Sequence, residues 1–206
     1  MHLQPRGISR VRRAAIFEFL ECRNATTEQI ARRFFACETP ETARKKASRW
    51  LCRQRKRRRV HIRGIVCLNR TGRPELVYGQ RCNEEQLEHE VWITEAELLL
   101  DARCKRSVPV GKTFADALFV RDATRFYIEV DNQTMTAKQM QRKWGLYGRE
   151  IDGYVLVICH TKERLRRLMR GAEPVKDAAL FTRFRWLRSP HVKEQWIDWY
   201  GNRANI

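Results

Sequence analysis

Asp116 stands in the apolar run 115–120, and Glu129 and Asp131 stand in the run 125–131. Both runs have the β-branched and aromatic texture of strands and flank a turn at 121–124, so they read as a pair. Strand side chains alternate with period two, which puts Glu129 and Asp131 on one face. Acids converging on a sheet edge hold Mg2+ or Mn2+, hard cations that take oxygen ligands and leave positions open for water and phosphate. The chemistry of such a site is phosphodiester hydrolysis: the metal lowers the pKa of a bound water and stabilises charge on the scissile phosphate. Glu90, on the preceding helix, is a further candidate ligand. His89 and His160 lack partners at metal-ligand spacing and read as structural. In the competing reading the acids pair with Arg121, Arg125 or Arg142 and only hold the fold together.

The elements that must position these acids alternate between helical and strand periodicity. Asn83 caps a helix running to about Arg103, with Leu87, Val91, Trp92, Leu98 and Leu99 apolar and a point of interruption at 92–94. After the strand pair come a helix over 135–149, a buried strand over 154–159, a helix over 162–170 and a last strand over 179–187. The expectation is an α/β domain around a mixed sheet, occupying 83–206. The tail from Ser189 through Trp196, Trp199 and Tyr200 has aromatics at helical spacing. It reads as packing back on the domain or forming a dimer contact, with stacking on exposed bases as a further alternative.

This order, a helix, a strand with Asp116, a hairpin, a strand with Glu129 and another helix, resembles the restriction-endonuclease-like fold named for its PD-(D/E)xK motif. The resemblance implies that the strand acids bind metal and that a lysine two residues after the second acid orients the attacking water. This chain has Ala115 in place of the proline and Asp131 in place of that lysine. Lys143, beside the apolar stripe Met140, Trp144 and Tyr147, is the substitute the resemblance suggests, giving Asp116, Glu129, Asp131 and Lys143 as the catalytic set. An ordinary exposed lysine is the competing reading, and Tyr147 reads as core. More specifically, residues 115–119, 127–131 with Thr134, Lys143 and Tyr147 resemble the replication-relaxation family of plasmids and other mobile elements. That family joins an N-terminal winged helix to such a nuclease-like domain, which implies action on DNA in replication, mobilisation or its regulation.

The first part of the chain matches that expectation on its own pattern. A helix from Ser9 to about Arg23 carries Val11, Ala15, Ile16, Phe19 and Leu20 at helical spacing, and Asn24 and Ala25 break it. Thr26 or Thr27 caps a short helix with Ile30, Ala31, Phe34 and Phe35 apolar. Thr39, with Pro40 at the first helical position, opens a third helix from about Glu41 to Arg55. Its apolar face is Ala43, Ala47, Trp50 and Leu51; its other face carries Arg44, Lys45, Lys46, Ser48, Arg49 and Arg53. Two strand-like runs, 60–68 and 75–78, flank a Gly/Pro turn bearing Arg70 and Arg73. Three helices and a hairpin in that order read as a winged helix-turn-helix over 1–82, with the third helix over base edges in the major groove. Arg57, Arg58 and Arg59 read as a phosphate clamp, and Arg70 and Arg73 as wing contacts to phosphate or the minor groove.

Charge supports the division. The net charge is +18, but residues 1–82 hold 21 Lys/Arg against 6 Asp/Glu, whereas 83–206 hold 21 against 18. A concentrated excess is the footprint of a polyanion, since each phosphate neutralised releases counterions. Double-stranded DNA is the expected partner, with a homodimer or a replication or transfer protein as possible others. Without an apolar run of membrane-spanning length or a signal-peptide core, the expectation is no membrane and a cytoplasmic, nucleoid-associated protein. The seven cysteines form no CxxC pair and read as reduced thiols, several of them in the core. Overall the expectation is an α+β protein, a winged helix-turn-helix followed by an α/β nuclease-like domain. It binds DNA; the alternatives are a Mg2+-dependent endonuclease and a transcriptional regulator.

Overall fold

A computed structural model describes residues 8–68, 74–79, 83–133, 135–189 and 195–206. Over these the chain is a mixed α+β protein with seven helices, a three-stranded sheet and a mixed seven-stranded sheet. It divides into two units, Met1–Glu95 and Ala96–Ile206.

The first three helices each begin where a hydroxyl accepts from a first-turn N–H that has no intrahelical partner. Ser9 Oγ accepts from Arg12 N (3.2 Å) at the start of α1 (Arg10–Cys22). Thr26 and Gln29 form a reciprocal capping box on α2 (Thr27–Phe34), and Thr39 caps α3 (Pro40–Lys56) with Pro40 in the first turn. Ile16, Leu20, Ile30, Ala47, Trp50 and Leu51 form the core between them. Strands β2 (Ile62–Val66) and β3 (Glu75–Gly79) make an antiparallel hairpin.

Asn24 and Ala25, which read as a helix break, form with Thr26 a strand, β1 (Asn24–Thr26), on the other edge of β3, giving the order β1-β3-β2. A three-residue strand is too short to show periodicity, and its partner lies more than fifty residues away. Gly79 makes the pairing possible: at φ 144° it accommodates the Arg23 carbonyl 2.1 Å from where a Cβ would sit. Helix α4 (Glu84–Leu99) packs Leu87 and Val91 under Val66 and Val77. It runs unbroken through 92–94, which are buried, and stops short of Arg103. Its Glu95, 1% exposed, accepts from Gln29 Nε2 (3.1 Å) and pairs with Arg32, so this buried carboxylate is compensated within its own unit.

The second unit contains β4 (Lys105–Val110), β5 (Thr113–Arg121), β6 (Thr124–Asp131), α5 (Ala137–Glu150), β7 (Gly153–Cys159), α6 (Lys162–Gly171), β8 (Ala179–Arg183), α7 (Phe184–Leu187), β9 (Trp196–Asp198) and β10 (Arg203–Ala204). The sheet order is β10-β9-β8-β7-β6-β5-β4, parallel for β6-β7-β8 and antiparallel elsewhere. The parallel strands need crossovers, which α5 and α6 supply. Both helices cover one face, packing Met140, Trp144, Leu165 and Leu168 on Tyr127, Val155, Val157 and Phe181.

Sequence reading passes over β4 because Lys105, Arg106, Ser107 and Pro109 break the apolar pattern; it is an edge strand, where a proline is tolerated. The strand expected to reach 187 ends at Arg183 and turns into α7, and Trp196 lies in β9 rather than on a helix. Of the six described cysteines only Cys104 and Cys159 are buried; Cys22, Cys37, Cys52 and Cys67 are exposed, against the expectation of several in the core. No helix among the described residues is long and apolar enough to cross a membrane.

Candidate functional site

Strand β6 is buried from Phe126 to Asp131, paired on both edges and with α5 packed on the face that carries Tyr127. Its acids therefore sit in the sheet's interior. The β5-β6 register runs from Arg121↔Thr124 to Ala117↔Ile128. Beyond it the Asp116 carboxylate takes over the role of a backbone acceptor, receiving Val130 N–H at 2.7 Å.

Glu129, 3% exposed, is held by two residues from α5: Lys143 Nζ donates to Oε2 at 2.6 Å and the Tyr147 hydroxyl donates to Oε1. Lys143 and Tyr147 are four apart, one above the other on the face that α5 turns to the sheet. Lys143 is buried and also lies 5.7 Å from the Tyr147 ring centroid. The reading of Lys143 as an exposed lysine and of Tyr147 as core alone is thus replaced by direct contact of both with Glu129. Burial, and then the charge of Asp116, push the Glu129 carboxyl up to about 8, opposed in part by Lys143 and Tyr147. Burial and the nearby carboxylate push the Tyr147 hydroxyl up as well, so it stays a donor.

Asp131 is engaged elsewhere. Arg164 of α6 clamps it in a fork, Nε to Oδ2 and Nη2 to Oδ1, both at 2.7 Å. Arg121, Arg125 and Arg142 are not its partners: Arg121 donates to the carbonyls of Leu100 and Ile206, and Arg125 pairs with Asp152. Arg164 is separated from Asp131 by 33 residues, and only the stacking of α6 on the sheet face brings them together.

A divalent cation needs ionised, available oxygens. All four carboxylate oxygens of Glu129 and Asp131 are used by Lys143, Tyr147 and Arg164, and Glu129 tends to hold a proton. As arranged, these donors do not fit Mg2+ or Mn2+, and among the described residues no group of three or more His, Cys, Asp or Glu has metal-binding geometry. Glu90 belongs to the first unit. His160 lies with Nε2 3.2 Å from Asn132 Oδ1, and its ring stacks on Phe184. Thr134 lies outside the described residues.

The second candidate site is the exposed face of α3, opposite Ala43, Ala47, Trp50, Leu51 and Gln54. Its cations fall into two groups. Arg44 lies near Glu28 and Glu75 (3.9 and 3.6 Å), Lys45 pairs with Glu41 (2.6 Å), and Lys46 pairs with Glu38. Arg49, Arg53, Lys56, Arg57, Arg58 and Arg59 are exposed and make no ion pair among the described residues. Uncompensated positive charge therefore concentrates at the C-terminal half of α3 and just beyond it. There it also complements the negative end of the helix dipole. Arg70 and Arg73 lie outside the described residues.

Helix α3 closes with Arg58 N donating to the Arg55 carbonyl (2.9 Å) and Arg59 N to the Gln54 carbonyl (3.0 Å). This closure puts Arg58 at φ 56°, a left-handed conformation that favours glycine. Arg58→Gly is expected to raise stability by about 0.5–1 kcal/mol while removing a charge. Urea unfolding measures the first effect. If Arg58 contacts phosphate, the salt slope of DNA binding falls by about one; unchanged or lower stability would show that the arginine side chain contributes more than its strained backbone costs.

No family model and no curated protein matches this chain.

Proposed function

We propose that the chain is a double-stranded DNA-binding protein in which the first unit acts as a winged helix-turn-helix. The observation that carries this reading is the run of exposed, unpaired cations from Arg49 to Arg59 on a capped helix. That helix follows a short α2 and precedes a hairpin. Phosphate binding is the physical role that best accounts for so much uncompensated charge on one face.

The second unit, in this reading, has the PD-(D/E)xK-like fold of the replication-relaxation resemblance and contacts DNA without cutting it. The protein acts in the replication, mobilisation or regulation of a plasmid or other mobile element. Occupation of both Glu129 oxygens by Lys143 and Tyr147, and of both Asp131 oxygens by Arg164, supports a retired rather than a working hydrolytic site.

Purified protein incubated with supercoiled plasmid and Mg2+ or Mn2+ is expected to retard the plasmid on a gel and leave it supercoiled. Nicking that disappears in Glu129→Ala would overturn the non-cleaving reading and make the protein a metal-dependent endonuclease. Failure to retard duplex DNA at low salt would overturn DNA binding itself.

A further inference from the structure

The carboxyl ends of the parallel strands β7 and β8 carry a second basic feature. Residues 183–188 read Arg-Phe-Arg-Trp-Leu-Arg. The turn from β8 into α7 lays the Arg183 guanidinium over the Trp186 ring, 4.2 Å from its centroid. Arg188 lies 5.9 Å from the Phe184 centroid, and His160, at the end of β7, stacks on the same phenyl ring.

Stacked guanidinium groups keep their donors in the ring plane and lose little further entropy on binding an anion. Arg183 and Arg185 make no ion pair among the described residues, and Arg183 Nε is buried with no acceptor there. A buried charged donor without an acceptor is costly, so its presence points to a ligand that supplies one. Arg164, on the same edge, is already neutralised by Asp131, which leaves Arg183 and Arg185 without an ion pair among the described residues. Ligands of open α/β sheets sit outside the carboxyl ends of the strands, which is where this pair lies.

We propose that Arg183, held over the Trp186 ring, and Arg185, two residues on in α7, form a second contact to the phosphodiester backbone of duplex DNA. This site rests on the DNA-binding reading above and adds to it a second set of phosphate ligands in the other unit.

The test is the salt dependence of duplex binding by the full chain, comparing the wild type with the Arg183→Ala/Arg185→Ala and Arg183→Lys/Arg185→Lys variants. Equal thermal melting of all three confirms folding. The alanine pair is expected to weaken binding about tenfold and to reduce the slope of log K against log salt by about two, whereas the lysine pair, which keeps the charge but not the stacked planar fork, is expected to keep the slope and bind with an affinity between the two. A wild type that binds duplex and an alanine pair with the same Kd and slope would overturn this site and leave the α3 contact standing. A wild type that binds no duplex overturns both. Loss of binding to phosphatidylserine vesicles with DNA binding unchanged would reassign the same arginines to a lipid headgroup.

Discussion

Glu129→Gln is expected to abolish a fall in stability that the wild-type protein shows between about pH 4.5 and pH 8. In the unfolded chain the Glu129 carboxyl titrates near 4.5; in the folded protein burial and Asp116 raise it to about 8. Between those values the folded state holds a proton that the unfolded state has released. Unfolding then releases a proton, and stability drops as pH rises. Below the window both states are protonated, above it neither is, and the contribution is flat in both limits. The full window corresponds to a loss on the order of 5 kcal/mol, a large fraction of the stability of a domain this size.

A glutamine, like the protonated carboxyl, has one carbonyl oxygen to accept from Lys143 and one donor that can face the Tyr147 oxygen, but it cannot ionise. The variant should therefore match the wild type at pH 5 and exceed it at pH 8. Urea unfolding at the two pH values measures the difference, and parallel curves for the two proteins would show that Lys143 holds Glu129 ionised throughout. The same measurement bears on function, because a carboxyl protonated at neutral pH is a poor ligand for a hard cation.

The second large effect concerns α3. Arg49→Ala/Arg53→Ala/Arg57→Ala is expected to weaken duplex binding by about 100-fold at moderate salt and to reduce the salt slope by nearly three. Arg44→Ala/Lys45→Ala should cost far less. Those two charges already face Glu28, Glu75 and Glu41, and removing them also unmasks acids that repel phosphate less than the uncompensated run attracts it. Titrations of a labelled duplex over a range of salt concentrations resolve the two sets. A larger loss from Arg44 and Lys45 would move the DNA contact to the start of the helix, where the ion pairs would have to open on binding. All five positions are exposed, so their replacement leaves the core of Ala43, Ala47, Trp50 and Leu51 intact.

The local elements were legible because their signals are local. A threonine at 26 or 27, and Thr39 with Pro40, mark helix starts because a cap bonds only three residues away; the structure assigns the first cap to Thr26. The apolar spacing of α3, α5 and α6 and the apolar run of β7 set element type through period alone. The placing of Asp116 and Glu129 on adjacent strands was equally readable, because one short turn dictates the pairing.

What needed the tertiary structure was every partner distant in the chain. β1 exists only because β3 arrives beside it, β4 is a strand only as the edge of a sheet, and Asp131 meets Arg164 only once α6 lies on that sheet. Sequence could name the three acids as a charged cluster. That Glu129 and Asp131 spend their oxygens on Lys143, Tyr147 and Arg164 was decided by burial and by the register of α5 and α6 against β6, since a carboxylate taken out of water must find a cation, a donor or a proton.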